Sequence, residues 1–195
     1  EIDEQCGFID KKGNIIIEPQ FTECQAFQDG VAVIIEDDYW GLIDKKGNIL
    51  LQPQFDVIEG YTNGDFFDGM ALVVKDEQYG FINPKGKIVV KPQYDFAGDY
   101  GENLALIEKN EAFGFLNKKG KLIIPAQFED AGVFSDGLAQ VLINDEWGFI
   151  DTDGKIAIIP RFEEVLPFNQ GLARVQQDGK WAYIDRFGDL IWEEK

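Results

Sequence analysis

The sequence has no histidine and only two cysteines in its 195 residues. Without histidine there is no Ser/His/Asp or Cys/His catalytic arrangement, no imidazole zinc site and no histidine acid–base catalysis. Cys6 and Cys24 are too few for a disulfide framework. They permit one bridge, but we favour two semi-buried free thiols. The cellular compartment therefore stays open between the cell envelope, the extracellular space and the cytoplasm.

Basic residues and long apolar runs are also scarce. Lys and Arg number 18 against 36 Asp and Glu, which gives a formal net charge of −18. A surface of this sign repels polyphosphates, so we expect neither nucleic acid nor anionic membrane as a partner. No stretch approaches the roughly 20 apolar residues of a transmembrane helix, and the opening GluIleAspGluGln does not resemble a signal peptide.

Motifs of nucleotide binding and catalysis are missing as well. No Gly-x-Gly-x-x-Gly follows a strand pattern, and neither Gly-Lys-Ser nor Gly-Lys-Thr occurs. Asp151 and Asp153, in AspThrAspGly, offer oxygen ligands at alternate positions as a calcium loop does. The later ligands of such a loop are absent, and every other repeat has a hairpin corner at this place, so we interpret it as a turn. We predict no catalytic, cofactor-binding or metal site, and a protein that is not an enzyme.

What the sequence does contain is a repeat. A motif of five residues recurs six times. Its positions are a bulky residue, then Gly, then an aromatic residue or Leu, then Ile or Leu, and finally Asp or Asn. The Gly of this motif lies at 7, 41, 80, 114 and 148, and Ala182 takes its place in the sixth copy, so the spacing is 34 residues with one interval of 39. A fixed period indicates a tandem array of one unit. We divide the single repeat domain 1–195 into repeats 6–39, 40–78, 79–112, 113–146, 147–180 and a partial repeat 181–195.

Each repeat predicts antiparallel strands. The Asp or Asn of the motif, followed three residues later by Gly, is typical of a type I turn with a bulge. An aliphatic run follows the turn, and a further strand surrounds an alanine eight residues before the bulky residue, at 32, 71, 105, 139 and 173. We name these strands a (with the alanine), b (with the motif Gly) and c (the aliphatic run). The predicted fold is all-β, a tandem series of three-stranded antiparallel β-meanders.

The segment after strand c carries proline and paired aromatic residues. We expect the proline to end the strand, because it has no N–H for the ladder. Two aromatic residues lie six apart in every connector except the second, where five extra residues lie between 56 and 65. In all, 20 of the 26 aromatic residues occupy recurrent positions and are predicted to form the core. We expect the motif Gly to make room for a ring of a neighbouring repeat. The aromatic residues outside the recurrent positions are Tyr39, Tyr61, Phe67, Phe96, Phe187 and Trp192.

These residues resemble the WG repeat family, which is also known by a KWG signature. The resemblance covers residues 6 to 192 and rests on the order of elements in the repeat. TrpGly is followed by an aromatic residue, Ile and Asp, and then by a turn with Lys and Gly. An aliphatic run, Pro-Gln with an aromatic residue, and AspGly before LeuAla complete the repeat. Such proteins are mostly bacterial, often carry many copies, and are generally regarded as repeat modules without a defined activity. The resemblance therefore implies the fold more firmly than the function.

The arrangement of the repeats has two alternatives. Both ends of the sequence are the same b and c hairpin, so neither end supplies a strand that the other lacks, as closure of a propeller usually requires. We therefore favour an open twisted superhelix, or solenoid, over a five- or six-bladed β-propeller.

Two classes of function fit this interpretation. The first is a non-enzymatic scaffold or protein–protein interaction module, because stacked repeats present a long surface to another protein. The alternative is a carbohydrate or cell-envelope binding module, in which exposed rings stack on sugars. The five-residue insertion breaks the repeat where loops normally vary. Candidate partner-binding residues are therefore Tyr61, Asn63, Asp65 and Phe67.

Overall fold

The computed structural model describes residues 5–58 and 63–195. Within these ranges the regular structure is β-strand, and they contain no α-helix. The chain forms two compact units, Glu1–Gln93 and Tyr94–Lys195.

The first unit holds three sheets whose strands follow one another in chain order. A two-stranded sheet contains β1 (Cys6–Ile9) and β2 (Ile15–Phe21). The next sheet has four strands, β3 (Glu23–Cys24), β4 (Val31–Glu36), β5 (Tyr39–Asp44) and β6 (Ile49–Asp56). The third has β7 (Ala71–Lys75), β8 (Gln78–Ile82) and β9 (Ile88–Tyr94).

The second unit holds three four-stranded antiparallel sheets, again in chain order. The first contains β10 (Phe96–Gly101), β11 (Leu104–Lys109), β12 (Ala112–Asn117) and β13 (Leu122–Phe128). The middle sheet contains β14 (Asp130–Ala131), β15 (Leu138–Ile143), β16 (Glu146–Asp151) and β17 (Ile156–Phe162). The last sheet contains β18 (Glu164–Val165), β19 (Leu172–Gln177), β20 (Lys180–Asp185) and β21 (Leu190–Glu193).

The predicted all-β array of tandem meanders is confirmed. Strands a, b and c are β4, β5 and β6 in the second sheet and recur in the later ones. The structure adds a strand that the sequence pattern did not predict, because the connector after strand c contributes an edge strand next to strand a in four of the sheets. Three of these edge strands are only two residues long, β3, β14 and β18. The open or closed path of the whole array stays a prediction.

The corner between strands b and c has the predicted structure. At the first corner the Asp10 carboxylate accepts hydrogen bonds from the backbone N–H groups of Lys12 and Asn14 at 2.8 and 2.9 Å. Gly13 has a φ of 86°, in the left-handed region that favours glycine. The corner that begins at Asp151 is built in the same way, with N–H donors at 153 and 155. The turn interpretation of AspThrAspGly is therefore confirmed.

Acidic residues hold the turns between strands a and b. These are two-residue turns in which both residues have positive φ, as at Asn144 and Asp145 (53° and 63°). The Glu129 carboxylate, just after strand β13, accepts the N–H of Asn144 at 2.8 Å. Asp95 accepts the N–H of Asn110 at 2.7 Å in the same way. Part of the large acidic excess therefore stabilises turns.

A second series of carboxylates joins consecutive repeats in the second unit. Glu102 accepts the N–H of Gly137 at 3.0 Å, and Asp136 accepts the N–H of Gly171 at 2.8 Å. Acceptor and donor are 35 residues apart in both cases, so each connector turn contacts the equivalent turn of the next repeat. Glu102, which departs from the usual Asp at this position, keeps the same role.

The proline of strand c does not end the strand, and that expectation is wrong. Strand β17 runs from Ile156 to Phe162 and includes Pro160. Its pairing with β16 shifts at this place, because Trp147 pairs with Phe162 while Phe149 pairs with Ile158. The proline thus sits in a bulge, where its missing N–H leaves no gap in the ladder.

The motif Gly makes room for backbone, and not for a neighbouring ring as we expected. A Cβ on Gly148 would lie 2.7 Å from the carbonyl oxygen of Ile158 and 2.7 Å from the nitrogen of Pro160. Both atoms belong to the bulged strand β17. Ala182 is accommodated because strand β21 has no proline and pairs regularly at this point, with Ala182 opposite Glu193.

Within each unit the core lies between successive sheets, and it includes many of the recurrent rings. In the second unit the rings of Phe115 and Phe134 lie 4.8 Å apart, and those of Phe149 and Phe168 also lie 4.8 Å apart. Each pair joins a strand b to the connector of the same repeat, which leads to the next sheet. The first unit repeats this contact between Phe8 and Phe27, at 4.6 Å.

Cys6 and Cys24 form a disulfide, with Cα atoms 6.0 Å apart. The preference for free thiols is therefore corrected. Cys6 begins strand β1 and Cys24 ends strand β3 of the next sheet, so the bridge joins the first two sheets. The sequence allowed this bridge, but only the folded connector brings the two side chains together.

Candidate functional site: the outer face of the last sheet

The last sheet has a packed face and an exposed face. Side chains of a strand alternate between the two faces. Ala173 and Val175 of β19 and Ile184 of β20 are 2% exposed or less and pack against the middle sheet. The residues between them point to the other side. We call this side the terminal outer face and define it by Leu172, Arg174, Trp181, Tyr183 and Trp192.

Three of these side chains form a row across the sheet. Arg174 pairs directly with Tyr183, and Tyr183 pairs directly with Trp192. The guanidinium of Arg174 lies 4.0 Å above the ring of Trp181, a cation–π contact that fixes this long side chain. The rings of Tyr183 and Trp192 meet edge to face at 6.1 Å. The row therefore presents a cation, a phenol and an indole side by side.

The position of Tyr183 in this row is apolar and buried in the preceding sheet. In the middle sheet the equivalent of Tyr183 is Phe149, which is 0% exposed because Phe168 covers it. Tyr183 is 40% exposed and Trp192 is 53% exposed. On the terminal outer face the ring position of Tyr183 is therefore accessible, whereas the equivalent rings in the other sheets of this unit are buried in the core.

The connector before β19 forms a wall beside this face. An open depression of about 700 Å³ lies between them. It is lined by Ser135, Leu166, Pro167, Phe168, Asn169, Gln170, Leu172, Arg174 and Tyr183. The hydroxyl of Ser135 donates to the carbonyl oxygen of Phe168 at 2.6 Å and is engaged in holding the connector. Arg174 is the only charged residue in this lining of described residues.

All three arginines of the chain lie close to this end, at 161, 174 and 186. Arg161 donates from Nη2 to the carbonyl oxygen of Gly188 at 3.1 Å and lies 5.0 Å from the ring of Phe162. Arg186 lines a smaller depression of about 310 Å³ with Asp136 and Gln170. In a chain of net charge −18, all of the arginines therefore lie in the last two repeats, 147–180 and 181–195.

The residues that the sequence pattern singled out lie elsewhere. Tyr61 is outside the described residues. Asn63 is only 4% exposed, and its Oδ1 accepts the N–H of Ile58 at 3.0 Å. Asp65 is half-buried, whereas Phe67 is 43% exposed. The structure thus places Asn63 in a supporting role and Phe67 at the surface, and partner binding at this insertion stays a prediction.

Sequence reasoning missed Arg174 and Tyr183. Tyr183 occupies a recurrent position, which predicts a core residue, but it is 40% exposed. The signal that points to this face is the concentration of arginine in the last two repeats, together with Trp192, which stands outside the recurrent positions. Among the described residues no group of three or more Cys, Asp or Glu is arranged to hold a metal ion. The described part of the chain also has no helix able to cross a membrane.

The repeats match a known family. A sequence model described as "WG containing repeat" matches residues 7–40, 40–79, 79–111, 113–147 and 147–181. No curated protein is significantly similar in sequence to this chain.

Some solved structures are similar to this chain at low sequence identity. One titled as the crystal structure of the eukaryotic initiation factor has a TM-score of 0.56 and 14% identity, over 87% of this chain and 52% of that one. Hsv2p of Kluyveromyces lactis has a TM-score of 0.49 and 8% identity, over 89% and 64%. The chain therefore spans about half the length of the first of these structures. The likeness to the initiation factor supports the fold alone.

Proposed function

This chain belongs to the WG containing repeat family, and on that premise we propose that it is a non-enzymatic protein-binding module whose partner contacts the terminal outer face. The observation that carries the proposal is the exposed row of Arg174, Tyr183 and Trp192 on a rigid sheet. Arg, Tyr and Trp are the residues that dominate the binding energy of protein interfaces, because they combine a large apolar area with a polar end.

The partner should bring an aromatic side chain and a negative charge. In each of the two preceding sheets, the ring equivalent to Tyr183 is covered by a phenylalanine ring whose centroid lies 4.8 Å away. A ring of the partner can therefore occupy the corresponding place over Tyr183. Arg174 lies beside that place and is held on Trp181, so a carboxylate next to the incoming ring finds a cation. An acidic and aromatic segment of another protein satisfies both requirements.

A binding role is favoured over catalysis by the lining of the depression. No Asp, Glu or Cys is among its described lining residues, so the usual nucleophiles and general bases other than serine are missing there. Ser135 is engaged with the Phe168 carbonyl, and no histidine exists to activate it.

Selection from a random peptide display library tests the protein-binding proposal. We expect enrichment of peptides in which an aromatic residue adjoins Asp or Glu. Tyr183→Ala and Arg174→Ala should each remove this enrichment, whereas Tyr39→Ala, which changes a tyrosine of similar exposure (45%) in the first unit, should preserve it. Equal enrichment on the Tyr183→Ala protein would overturn the proposal.

A carbohydrate is the second candidate ligand. Tyr183 and Trp192 offer two exposed ring faces, and the amide side chains of Asn169 and Gln170 belong to the adjacent connector. A glycan array distinguishes the two candidates: hits that disappear with Tyr183→Ala, together with no peptide enrichment, would replace the protein partner by a sugar.

A further inference from the structure

The lysines of the first unit are concentrated in one kind of corner. The unit Glu1–Gln93 contains eight lysines and seventeen acidic residues. Six of these lysines lie in the three corners between strands b and c, at Lys11, Lys12, Lys45, Lys46, Lys85 and Lys87. Only two of the acidic residues, Asp10 and Asp44, lie in the same corners. The corners therefore carry a net positive charge in a unit whose net charge is negative.

The three corners lie next to one another. A Cβ on Gly47, in the second corner, would lie 3.4 Å from Cγ1 of Ile17 on strand β2 of the first sheet. Gly86, in the third corner, packs in a similar way against the backbone carbonyl of Leu50 on strand β6. Each corner thus contacts strand c of the repeat before it, and the corners follow one another along one edge of the unit. We call this edge the lysine ridge and define it by the six corner lysines.

The ammonium groups of the lysine ridge are accessible to a partner. All six lysines are exposed, and none of them forms an ion pair among the described residues. The two carboxylates of these corners are engaged within the turns. Asp10 accepts two backbone N–H groups and the amide of Asn14, and Asp44 accepts the equivalent three donors. The positive charge of the ridge is therefore available to an outside carboxylate.

Exposed aliphatic side chains follow the first two corners directly. Ile15 and Ile16 are 48% and 50% exposed at the start of strand β2, and Ile49 is 40% exposed at the start of strand β6. The same exposure recurs inside the second unit, where the equivalent residues Leu122 and Ile156 are 41% and 46% exposed. The repeat thus places an apolar side chain at the surface beside these basic corners.

The spacing of the corners defines the shape of a matching ligand. Packed sheets lie about 10 Å apart, and an extended chain rises about 3.3 Å per residue. An extended segment that crosses the ridge therefore meets a new corner about every third residue. Carboxylates at this interval face the ammonium groups, and apolar residues between them can cover the exposed isoleucines.

We propose that the lysine ridge binds an extended acidic segment of another protein, with Asp or Glu at every third residue and apolar residues between them. The rest of the unit repels such a segment and so restricts its binding to this edge. An anionic membrane is less suited, because a wide surface also meets the acidic excess of the unit. The ridge lies in the first unit and is separate from the terminal outer face, so this inference does not depend on the proposed function.

Designed peptides test the proposal directly. The probe is a fluorescent peptide of repeated Glu-Leu-Ser triplets, and its anisotropy is measured with the full chain at low ionic strength. We expect saturable binding that weakens as salt is added. A peptide of the same composition with its Glu residues in one block should bind about fivefold more weakly, and so should a peptide with Ser in place of Leu. Equal binding of the three peptides, or absence of saturable binding, would overturn the proposal.

Charge reversal locates the binding edge. Lys45→Glu with Lys85→Glu reverses one lysine in each of two adjacent corners and should weaken binding of the Glu-Leu-Ser peptide about tenfold. Lys75→Glu with Lys91→Glu is the matched control, because it reverses the two lysines of the unit that lie outside the corners and gives the same net charge. Circular dichroism would establish that both proteins are folded. An equal loss in the two proteins would reveal attraction by overall charge alone and would overturn the proposal.

Two further ligands distinguish a protein partner from other polyanions. Vesicles that contain phosphatidylserine, and a single-stranded oligonucleotide, present negative charge without a polypeptide. If either binds in a way that the Lys45→Glu and Lys85→Glu protein loses, while the peptide does not bind, that ligand replaces the partner that we propose. Tyr183→Ala should leave binding of the Glu-Leu-Ser peptide intact, which separates a failure of this proposal from a failure of the proposed function.

Discussion

Cys6 and Cys24 are covalently joined at the two positions that Trp147 and Val165 occupy in the fifth repeat, where both side chains pack against one apolar cluster. In both cases the residues are 18 apart and connect a strand b to the edge strand of the next sheet. The disulfide thus joins the two positions that, in the fifth repeat, both pack against one apolar cluster.

Removal of this bridge should destabilise the first unit. Closing a loop of 18 residues limits the unfolded chain and is worth about 3 kcal/mol. We expect the Cys6→Ser and Cys24→Ser double variant to lose about that much free energy of unfolding in urea. Cys6→Trp with Cys24→Val, which restores the pair of the fifth repeat, should recover part of it. The prediction fails if reduction of the native protein leaves its unfolding midpoint unchanged.

The motif glycines should not tolerate a methyl group where strand c is bulged. Gly148→Ala puts a Cβ against the backbone of Ile158 and Pro160, so we expect a loss of about 3 kcal/mol in thermal or urea unfolding. Ala182→Gly is the matched change at the equivalent position of strand β20, where the pairing with β21 has no bulge, and should cost about 1 kcal/mol or less. Similar costs for the two variants would show that the bulge is not the cause.

Asp44 should contribute to stability in a pH-dependent way. The amide of Asn48 donates from Nδ2 to Asp44 Oδ2 at 2.8 Å, and this hydrogen bond is the main cause that lowers the pKa of Asp44. Because the pKa is lower in the folded chain than in the unfolded one, the contribution is present at neutral pH. It is lost as the pH falls below about 4, through the folded pKa.

Substitution of the amide checks this assignment. Asn48→Ala should raise the pKa of Asp44 in an NMR titration of the carboxyl carbon. Asn14→Ala, which removes the equivalent bond from Asp10, should leave the pKa of Asp44 unchanged. An unaltered pKa of Asp44 in the Asn48→Ala protein would contradict the role given to the amide.

Asn63 should support the insertion in the second repeat. Its side chain both accepts from the N–H of Ile58, at 3.0 Å, and donates to the carbonyl oxygen of Ile58, at 3.4 Å. Asn63→Ala should therefore lower the free energy of unfolding by about 1 kcal/mol. Phe67→Ala, at an exposed ring of the same connector, should change it by less. If Phe67→Ala lowers the free energy of unfolding more than Asn63→Ala does, the insertion is supported by the ring of Phe67 and not by the buried amide of Asn63.

Local patterns in the sequence predicted the strands and corners well. The Asp or Asn and the Gly of each corner determine a short-range structure, so Asp10 and Gly13 behave as their residue types predict. The two-residue edge strand that ends at Cys24 was not predictable in this way, because a pair of residues carries no periodicity. It becomes a strand only when strand β4 lies beside it.

The errors concerned interactions between strands. Pro160 was expected to end its strand because a proline lacks an N–H, but a bulge removes the need for one. The same bulge explains Gly148, for which the sequence suggested a ring as neighbour. Tyr183 was assigned to the core from its place in the repeat. Exposure depends on whether another element packs over a side chain, and a repeated position does not contain that information.

The carboxylate bonds from Glu102 to Gly137 and from Asp136 to Gly171 also give the second unit a direction. In each bond the earlier repeat supplies the acceptor and the later repeat the donor. Loss of the repeat that contains Gly171 would leave the Asp136 carboxylate without its donor, and water can solvate that carboxylate. In the next connector the position equivalent to Asp136 is occupied by Gln170. Duplication of a middle repeat would supply one acceptor and one donor together. Changes in copy number within the second unit therefore leave the remaining bonds matched.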